Sequence, residues 1–387
     1  MTSSTLDRTQ LDQRDPARFR FGVISDLHVT LPHTTWENPS RFHLVEVSIP
    51  ALEQALDHLV AAQVDFVLLP GDLTQHGEPD NHRWLAKRLA QLPFPVYVIP
   101  GNHDGPGWES DHRSIGLKTF ANYYRHCGYQ DQDPSCPYYT RQIWPGVRLI
   151  ALNSNDFDAA GQLVGRVDPV QMSWLKQVLA DAQEELILVM IHHNVVEHLR
   201  GQSRHPWGRR YILENASEFR SILRQHGVQL VFTGHLHIQN IACRGNVYDI
   251  TTGSMVSYPH PYRLIECRRD PCGQTRFQIE SHRVKSLPEW PDLQHTSREW
   301  MAGRSVAAMS SLLSSSPFNL PDGLAQRLAP QLKYLWSDIA AGDAHLSLPG
   351  IPDPVRQRLE SLNRSLICDD RIPVDSDNQA TLTIPRR

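Results

Sequence analysis

At 387 residues, the chain is longer than a single core usually organises, so we expect one large domain and an appendage. Apolar residues make up 40% and charged residues 21% of the sequence, as in an ordinary soluble globular protein. The formal net charge of -4 at pH 7 gives no reason to expect a nucleic acid or an anionic membrane as a partner. The high count of 20 histidines favours metal chemistry.

The N-terminal end predicts a flexible arm over residues 1–19. This segment is polar, carries several arginines and contains no apolar stretch, so it is not typical of a secretory signal. No part of the sequence approaches the ~18 consecutive apolar residues of a membrane span. We therefore expect a cytoplasmic protein with no membrane partner. The six cysteines lack a CxxC pair, which favours reduced thiols, although Cys267 and Cys272 flank a turn and leave a disulfide between them open.

The first hundred residues alternate between strands and helices. Apolar runs over 21–25, 66–70 and 96–99 predict buried strands, and apolar residues at helical spacing over 48–62 and 80–91 predict the helices that connect them. This β-α-β-α-β order favours parallel strands joined by right-handed crossovers.

The middle of the chain predicts more strands. Segments 138–143 and 147–153 flank Pro145-Gly146 and predict an antiparallel hairpin. Asp168 predicts the N-cap of a helix that runs to residue 180. Helices are also predicted near 115–126 and over 214–226. Further strands are predicted over 186–191, 230–233, 238–243, 247–252, 262–268 and 275–284. Together these elements predict an α/β (α+β) fold of four layers, in which two sheets form a β-sandwich flanked by helices.

The composition shifts near residues 286–295, where prolines and charged residues cluster. The rest of the chain reads as helices over 296–315, 322–340 and 352–366. We therefore predict a main domain over 20–285 and a C-terminal helical appendage over 296–387, to which no chemistry is assigned.

Five of the predicted strands end in side chains that bind metals. The ends read Asp26-Leu27-His28, Gly71-Asp72, Gly101-Asn102-His103-Asp104, His192-His193 and Gly234-His235-Leu236-His237. In open α/β sheets the carboxyl ends of the strands point into one crevice, so these groups are expected to meet. The candidate metal ligands are Asp26, His28, Asp72, Asn102, His192, His235 and His237.

Seven ligands exceed the needs of one ion and suit two ions that share a carboxylate. Mixed carboxylate, imidazole and amide ligands favour two divalent or mixed-valence ions of Mn, Fe or Zn. Asp72 is the expected bridge, because it stands alone at its strand end. Two divalent ions outweigh the charges of two aspartates, so the site attracts phosphate esters. Two ions can also activate a shared water and hold both phosphate oxygens.

The catalytic candidates are His103 and Asp104. His103 follows a ligand but leaves the backbone on the opposite side, so we expect it to face the substrate, with Asp104 as its orienting partner. His193 follows His192 in the same way, and whether it takes part in the site stays open.

These ordered motifs, spread over residues 20–285, resemble those of the calcineurin-like metallophosphoesterase superfamily. The resemblance implies a two-sheet sandwich with a dinuclear centre at the sheet edge and a role for His103 on the phosphate or the leaving group. It also implies one metal held by Asp26, His28, Asp72 and His237, and a second held by Asp72, Asn102, His192 and His235. The family often has a proline after the fourth block, where this chain has Asn194.

The compact block from Gly71 to Glu78 looks most like that of the class III cyclic-nucleotide phosphodiesterases and glycerophosphodiesterases. We therefore expect hydrolysis of a small phosphodiester by a metal-bridging hydroxide. A phosphomonoesterase and a nuclease are the alternatives, and a non-catalytic scaffold is less favoured because all the motif residues are present. Nucleic acid is not the favoured substrate, and a homo-oligomer stays open. Two alternatives stay open for His76, Arg209, Tyr258 and His260: they line the substrate pocket, or they lie in ordinary surface loops.

Overall fold

The protein is built on two six-stranded β-sheets. The computed structural model describes residues 15, 17–36, 41–271, 273–362 and 376–386. In chain order, the strands are β1 (Arg18–Val23), β2 (Phe66–Leu69), β3 (Val96–Val98), β4 (Tyr139–Trp144), β5 (Val147–Ala151), β6 (Asn155–Phe157), β7 (Leu163–Gly165), β8 (Leu186–Met190), β9 (Leu230–Thr233), β10 (Asn240–Arg244), β11 (Val247–Thr251), β12 (Pro261–Arg269), β13 (Thr275–Arg283) and β14 (Gln379–Ile384).

The strands alternate with α-helices. In chain order, these are α1 (Ser48–Ala61), α2 (Pro79–Leu89), α3 (Leu117–Tyr123), α4 (Pro169–Asp181), α5 (Pro206–Arg209), α6 (Ala216–Gln225), α7 (Leu293–Ser314), α8 (Asp322–Leu328), α9 (Leu335–Ala340) and α10 (Asp353–Leu362). Short 3-10 helices lie at Pro32–Thr34, Val45–Val47, Arg125–Cys127, Gln202–Arg204 and Ala329–Leu332. Among the described residues, no helix combines the length and the apolar character needed to cross a membrane.

The order of the strands brings the chain's early and late parts into the same sheet. The first sheet runs β14-β13-β12-β1-β2-β3, with β1, β2 and β3 parallel and β12 antiparallel to β1. The second runs β10-β11-β9-β8-β5-β4, with β5, β8, β9 and β11 parallel. The predicted hairpin at Pro145-Gly146 is β4 and β5, and β6 and β7 form a separate small hairpin that we did not predict.

An aromatic and aliphatic core fills the space between the sheets. The ring of Phe21 on β1 meets the ring of Phe232 on β9 edge to face at 5.5 Å, and Phe66 on β2 stacks on Phe21 at 4.9 Å. A second apolar cluster joins the other face of the second sheet to helices α4 and α6. The two sheets with helices on their outer faces confirm the predicted fold class.

The ends of the chain differ from the sequence prediction in detail. Most of the predicted flexible arm, like residues 363–366 of the last predicted helix, lies outside the described residues, and β1 already begins at Arg18. A C-terminal helical segment is present, and it is followed by β14, a strand that we did not predict. The domain boundaries at 285 and 296 stay a prediction.

The cysteines only partly follow the expectation of reduced thiols. Cys127, Cys136 and Cys267 are free, so the alternative of a disulfide between Cys267 and Cys272 is wrong. Cys243 is disulfide-bonded, which contradicts the expectation of a reduced thiol at that position.

A buried arginine on β12 ties the two sheets together. Arg263 is fully buried, and burial lowers the pKa of its guanidinium to about 10. Its Nη1 donates to Ser281 Oγ (3.2 Å) and to the carbonyl oxygen of Asp377 (2.8 Å). Its Nη2 donates to the carbonyl oxygens of Asn240 (3.3 Å) and Thr251 (2.9 Å). The guanidinium therefore connects the first sheet to β10, to β11 and to the segment before β14.

We expect Arg263→Met to lower the free energy of unfolding by about 3 kcal/mol, because it removes buried charged donors from several carbonyl oxygens while it keeps most of the apolar volume. Urea unfolding followed by circular dichroism measures the change. Arg276→Met, at an exposed position of the neighbouring strand β13, is the matched control and should change the value by less than about 0.5 kcal/mol. Equal stability of the two variants would contradict a tie between the sheets.

Candidate metal centre

The side chains predicted as ligands meet where the carboxyl ends of β1, β2 and β3 face those of β8 and β9. They form two groups, and within each group the candidate ligand atoms all lie within 4.8 Å of one another. The first group is Asp26, His28, Asp72 and His237. The second group is Asp72, His192 and His235. Asn102 extends the second group, because its Oδ1 lies 3.1 Å from Nε2 of His192. The two sheets therefore contribute to one constellation, as the strand-end motifs predicted.

Asp72 belongs to both groups. Its Oδ2 lies 3.8 Å from Nε2 of His28 and 3.4 Å from Nε2 of His192. Its Oδ1 accepts a hydrogen bond of 2.8 Å from the backbone N–H of His103. The carboxylate is 1% exposed, so its position is set by these contacts and not by solvent. One oxygen of Asp72 therefore faces candidate ligands on both sides, as the oxygen of a bridging carboxylate would.

The constellation fits divalent cations. His28 is fully buried, yet neither of its ring nitrogens has a hydrogen-bond partner among the described residues. A buried imidazole without a partner is costly unless something else satisfies it. Two ligands that each lie about 2.1 Å from one ion are separated by about 3.0–3.4 Å. The separation of 3.4 Å between His192 and Asp72 matches this range.

Neighbouring groups select the forms of the imidazoles that bind metals. Burial, followed by the neighbours His43 and His103, lowers the pKa of His28 well below its usual value and keeps its ring neutral. The carbonyl oxygen of Pro70 lies 2.8 Å from Nδ1 of His192, which leaves Nε2 for Asp72 and Asn102. Fixing one nitrogen of a ligating histidine by a hydrogen bond is the usual way to orient the other toward a metal.

A strong charge interaction joins Asp72 and His192. Burial opposes a charge on either side chain, but the attraction between them raises the pKa of His192 to about 9 and lowers the pKa of Asp72 well below its usual value. A bound cation would take the place of this proton, because only a neutral imidazole ligates.

Five of the proposed ligands have left-handed backbone conformations. Their φ values are 52° for Asp26, 42° for His28, 51° for Asp72, 65° for His235 and 58° for His237. Such conformations cost non-glycine residues free energy and persist only where the surrounding structure imposes them. Here the loop backbones hold one another, since the N–H of Asp26 donates to the carbonyl of Gly71 and the N–H of His28 donates to the carbonyl of Asp72.

His103 lies at the centre, but its orienting partner differs from the predicted one. The carbonyl oxygen of Gln75 lies 2.5 Å from Nδ1 of His103, where we predicted Asp104. The fully buried carboxylate of Asp104 instead accepts hydrogen bonds from the backbone N–H groups of Gly101, Leu73 and Thr74. Burial, followed by the charge of Asp72, raises the pKa of Asp104 to about 7. Asp104 therefore braces the loops of Asp72 and Asn102 and does not orient His103.

The loop after β8 contains His193 and Asn194, where the family often has a proline, and both side chains support this loop. His193 is buried, and its Nδ1 lies 2.7 Å from Ser154 Oγ. Its ring packs on the ring of His235, with the ring centres 4.3 Å apart, and this is its contact with the centre. The side chain of Asn194 donates to Thr233 Oγ1 at 2.9 Å and so ties this loop to β9.

A cavity of about 500 Å³ opens onto the centre. His43 lines it, and its ring lies 4.2 Å from the ring of His28 and 4.7 Å from that of His237. His28, His43 and His237 form a third group that could hold an ion. Sequence reasoning missed His43, because it follows no strand and belongs to no motif.

For four further side chains the sequence left open whether they line the pocket or lie in ordinary surface loops. His76 stacks on His103 with ring centres 5.1 Å apart. His260 is fully buried, with Nδ1 2.9 Å from the carbonyl oxygen of Met255, and it does not line the cavity, so neither of its two alternatives holds. Arg209 and Tyr258 lie outside the set that lines the cavity, to which Arg200 and Arg210 contribute in their place.

Comparisons with known proteins identify the family. The family model described as calcineurin-like phosphoesterase matches residues 19–239, which is more than half of the sequence. The chain belongs to the calcineurin-like phosphoesterase family. The chain is therefore a metal-dependent phosphoesterase, and the cation-binding constellation lies within the matched residues.

The chain is similar to several named members of this family. It is 30% identical to a probable cyclic nucleotide phosphodiesterase of Synechococcus sp. over 60% of this chain and 78% of that protein. It is 24% identical to a probable glycerophosphodiester phosphodiesterase of Arcobacter nitrofigilis over 60% of this chain and 77% of that protein. A dimetal phosphatase from Danio rerio has a TM-score of 0.49 and 17% identity, with 70% of this chain and 97% of that chain covered.

Gly234 provides a direct test of the centre. A Cβ atom at this position would lie 2.1 Å from Ser25 Oγ and 2.4 Å from Asp26 Oδ2, so Gly234→Ala should displace the carboxylate of Asp26. We expect purified Gly234→Ala to bind at least one manganese ion fewer per chain than the unaltered protein, as measured by elemental analysis after dialysis.

Gly303→Ala is the matched control, because Gly303 is exposed on α7 and a Cβ there meets nothing within 4 Å. This variant should bind as much manganese as the unaltered protein. Full manganese content in Gly234→Ala, with the fold intact by circular dichroism, would argue against Asp26 as a ligand.

Proposed function

We propose that this chain hydrolyses a small phosphodiester of the cyclic-nucleotide or glycerophosphodiester type. The observation that carries the proposal is the shared Oδ2 of Asp72, which faces His28 on one side and His192 on the other. The names of the relatives from Synechococcus sp. and Arcobacter nitrofigilis support a phosphodiester as the substrate. A cytoplasmic location stays a prediction, and whether the chain forms a homo-oligomer stays open.

Two ions of Mn, Fe or Zn would supply an activated water and positive charge at the phosphate. For the first ion we propose Asp26, His28, Asp72 and His237 as ligands, and for the second Asp72, Asn102, His192 and His235. This set joins carboxylate, amide and imidazole donors, which suits first-row transition metals better than a cage of oxygen ligands alone.

We assign His103 to the proton transfer. The contact of 2.5 Å with the carbonyl oxygen of Gln75 fixes a proton on Nδ1, so Nε2 is the nitrogen that remains for the substrate. In the imidazolium form, Nε2–H donates its proton to the oxygen that leaves phosphorus, and the neutral ring remains bonded to Gln75. The backbone N–H of His103 binds Asp72, so the position of the ring is tied to the proposed metal bridge.

Substrate preference tests the proposed reaction. With added manganese, we expect the protein to hydrolyse bis-p-nitrophenyl phosphate faster than p-nitrophenyl phosphate, and we expect a chelator to abolish both rates. A panel of cyclic nucleotides, glycerophosphodiesters and single-stranded DNA then separates the proposed substrates from those of a nuclease. A clear preference for the monoester would overturn the phosphodiesterase assignment in favour of a phosphomonoesterase.

The role of His103 is tested by substitution. We expect His103→Ala to reduce kcat by about 10²- to 10⁴-fold, the range for loss of a general acid, and to retain its manganese. His112→Ala, which removes an exposed histidine, is the control and should keep the full rate. If His103→Ala keeps the full rate, the proton comes from elsewhere.

A further inference from the structure

The cavity at the proposed metal centre continues beneath the C-terminal helices. Asp72, Asn102, His103, His235 and His237 line one end of it. Residues of α7, of α9 and of the turn after α7 line the other end. A substrate whose phosphate is bound at the metals therefore extends its remaining group into a space that the C-terminal region encloses.

The wall formed by the C-terminal region is apolar. It presents Ala308, Met309, Leu312, Pro317, Phe318, Leu335, Trp336 and Ile339 to the cavity. The hydroxyl of Ser305, which also lines this wall, already donates to the carbonyl oxygen of Met301 at 2.8 Å. An alkyl chain gains free energy by burial against such a surface, whereas the hydroxyl groups of a sugar would be left there without hydrogen-bond partners.

This wall is fixed to the proposed metal centre. Leu236 and Ile238, which alternate with the ligands His235 and His237, belong to the same apolar cluster as Met309, Leu335 and Ile339. The part of the cavity that the C-terminal helices enclose is therefore packed against the loop of His235 and His237 and is not a separate surface groove.

A basic segment also contributes to the lining of the cavity. Arg200 and Arg210 belong to this lining, together with Tyr211. The guanidinium of Arg210 lies 4.7 Å from the centre of the Tyr211 ring, and its carbonyl oxygen lies 3.2 Å from Nε2 of His235. The cavity thus joins the proposed metal ligands and two arginines to an apolar wall, as required to bind an amphiphile with an anionic head.

We propose that the substrate is a phosphodiester with a single long alkyl or acyl chain, as in a lysophospholipid. Its phosphate binds at the proposed metal centre next to His103, and its chain lies against α7 and α9. A volume of about 500 Å³ is within the range of sites for single small molecules and favours one chain over two. The position of the phosphate rests on the proposed function, whereas the position of the chain rests on the apolar wall.

Calorimetry with manganese-loaded protein tests the chain site without turnover. Methyl phosphate and octyl phosphate differ by seven methylene groups, and each buried methylene group strengthens binding by about three- to fourfold. Since part of the chain stays exposed, we expect octyl phosphate to bind roughly 30-fold or more tightly than methyl phosphate, with a more negative heat-capacity change. Equal affinities, or tighter binding of phenyl phosphate than of octyl phosphate, would overturn the proposal.

Two neighbouring alanines of α7 provide the matched variants. Ala308 lines the cavity, whereas Ala307 is exposed on the helix. We expect Ala308→Trp to reduce the ratio of octyl to methyl phosphate affinity at least tenfold, because the indole fills this part of the cavity. Ala307→Trp should leave this ratio unchanged. If both variants keep the ratio, the chain does not bind at this wall.

Turnover separates this inference from the proposed function. The substrates are methyl and octyl p-nitrophenyl phosphate, which share a leaving group. A higher kcat/KM for the octyl ester, lost in Ala308→Trp, supports both proposals. Selective binding of octyl phosphate without hydrolysis of either ester would overturn the proposed function and leave the chain site standing. Hydrolysis of both esters at equal kcat/KM would overturn the chain site alone.

Discussion

The sharing of the Asp72 carboxylate between two groups of histidines is the interaction on which the rest of the site depends. His28 reaches this carboxylate from the first sheet and His192 reaches it from the second, at 3.8 and 3.4 Å. The two sheets must therefore pack in one register for both contacts to exist, and the aromatic contacts between them and the buried Arg263 hold that register. The chemistry at the edge is a consequence of packing in the core.

Sequence reasoning reached the strands and their polar ends because both signals are local. Each strand is a short apolar run, and each motif follows its run directly, so the meeting of Asp26, Asp72 and His192 follows from sheet geometry. The N-cap at Asp168 was equally readable, and its side chain accepts hydrogen bonds from the N–H groups of Val170 and Gln171. In these cases a few neighbouring residues contain the necessary information.

Where reasoning from the sequence failed, the cause was an interaction between distant residues. His43 reaches the centre only because its loop packs on another, with the N–H of Leu44 donating to the carbonyl oxygen of Val256. Asp104 follows His103 directly, but backbone donors from the loop of Asp72 capture its carboxylate. A helix over most of α7 was predicted, whereas the cavity that its apolar side encloses depends on how the whole helix docks.

The pairing of the strands also has a consequence for how the chain folds. β1 lies inside the first sheet, where Phe21 pairs with Phe66 on one side and with Ile265 on the other. The outer strand β14 comes from the far end of the described chain. Closing such long loops is slow, and partly formed sheets have free edges that aggregate. During synthesis, the first strand must therefore wait with one edge unpaired until most of the protein has left the ribosome, which makes chaperone assistance valuable.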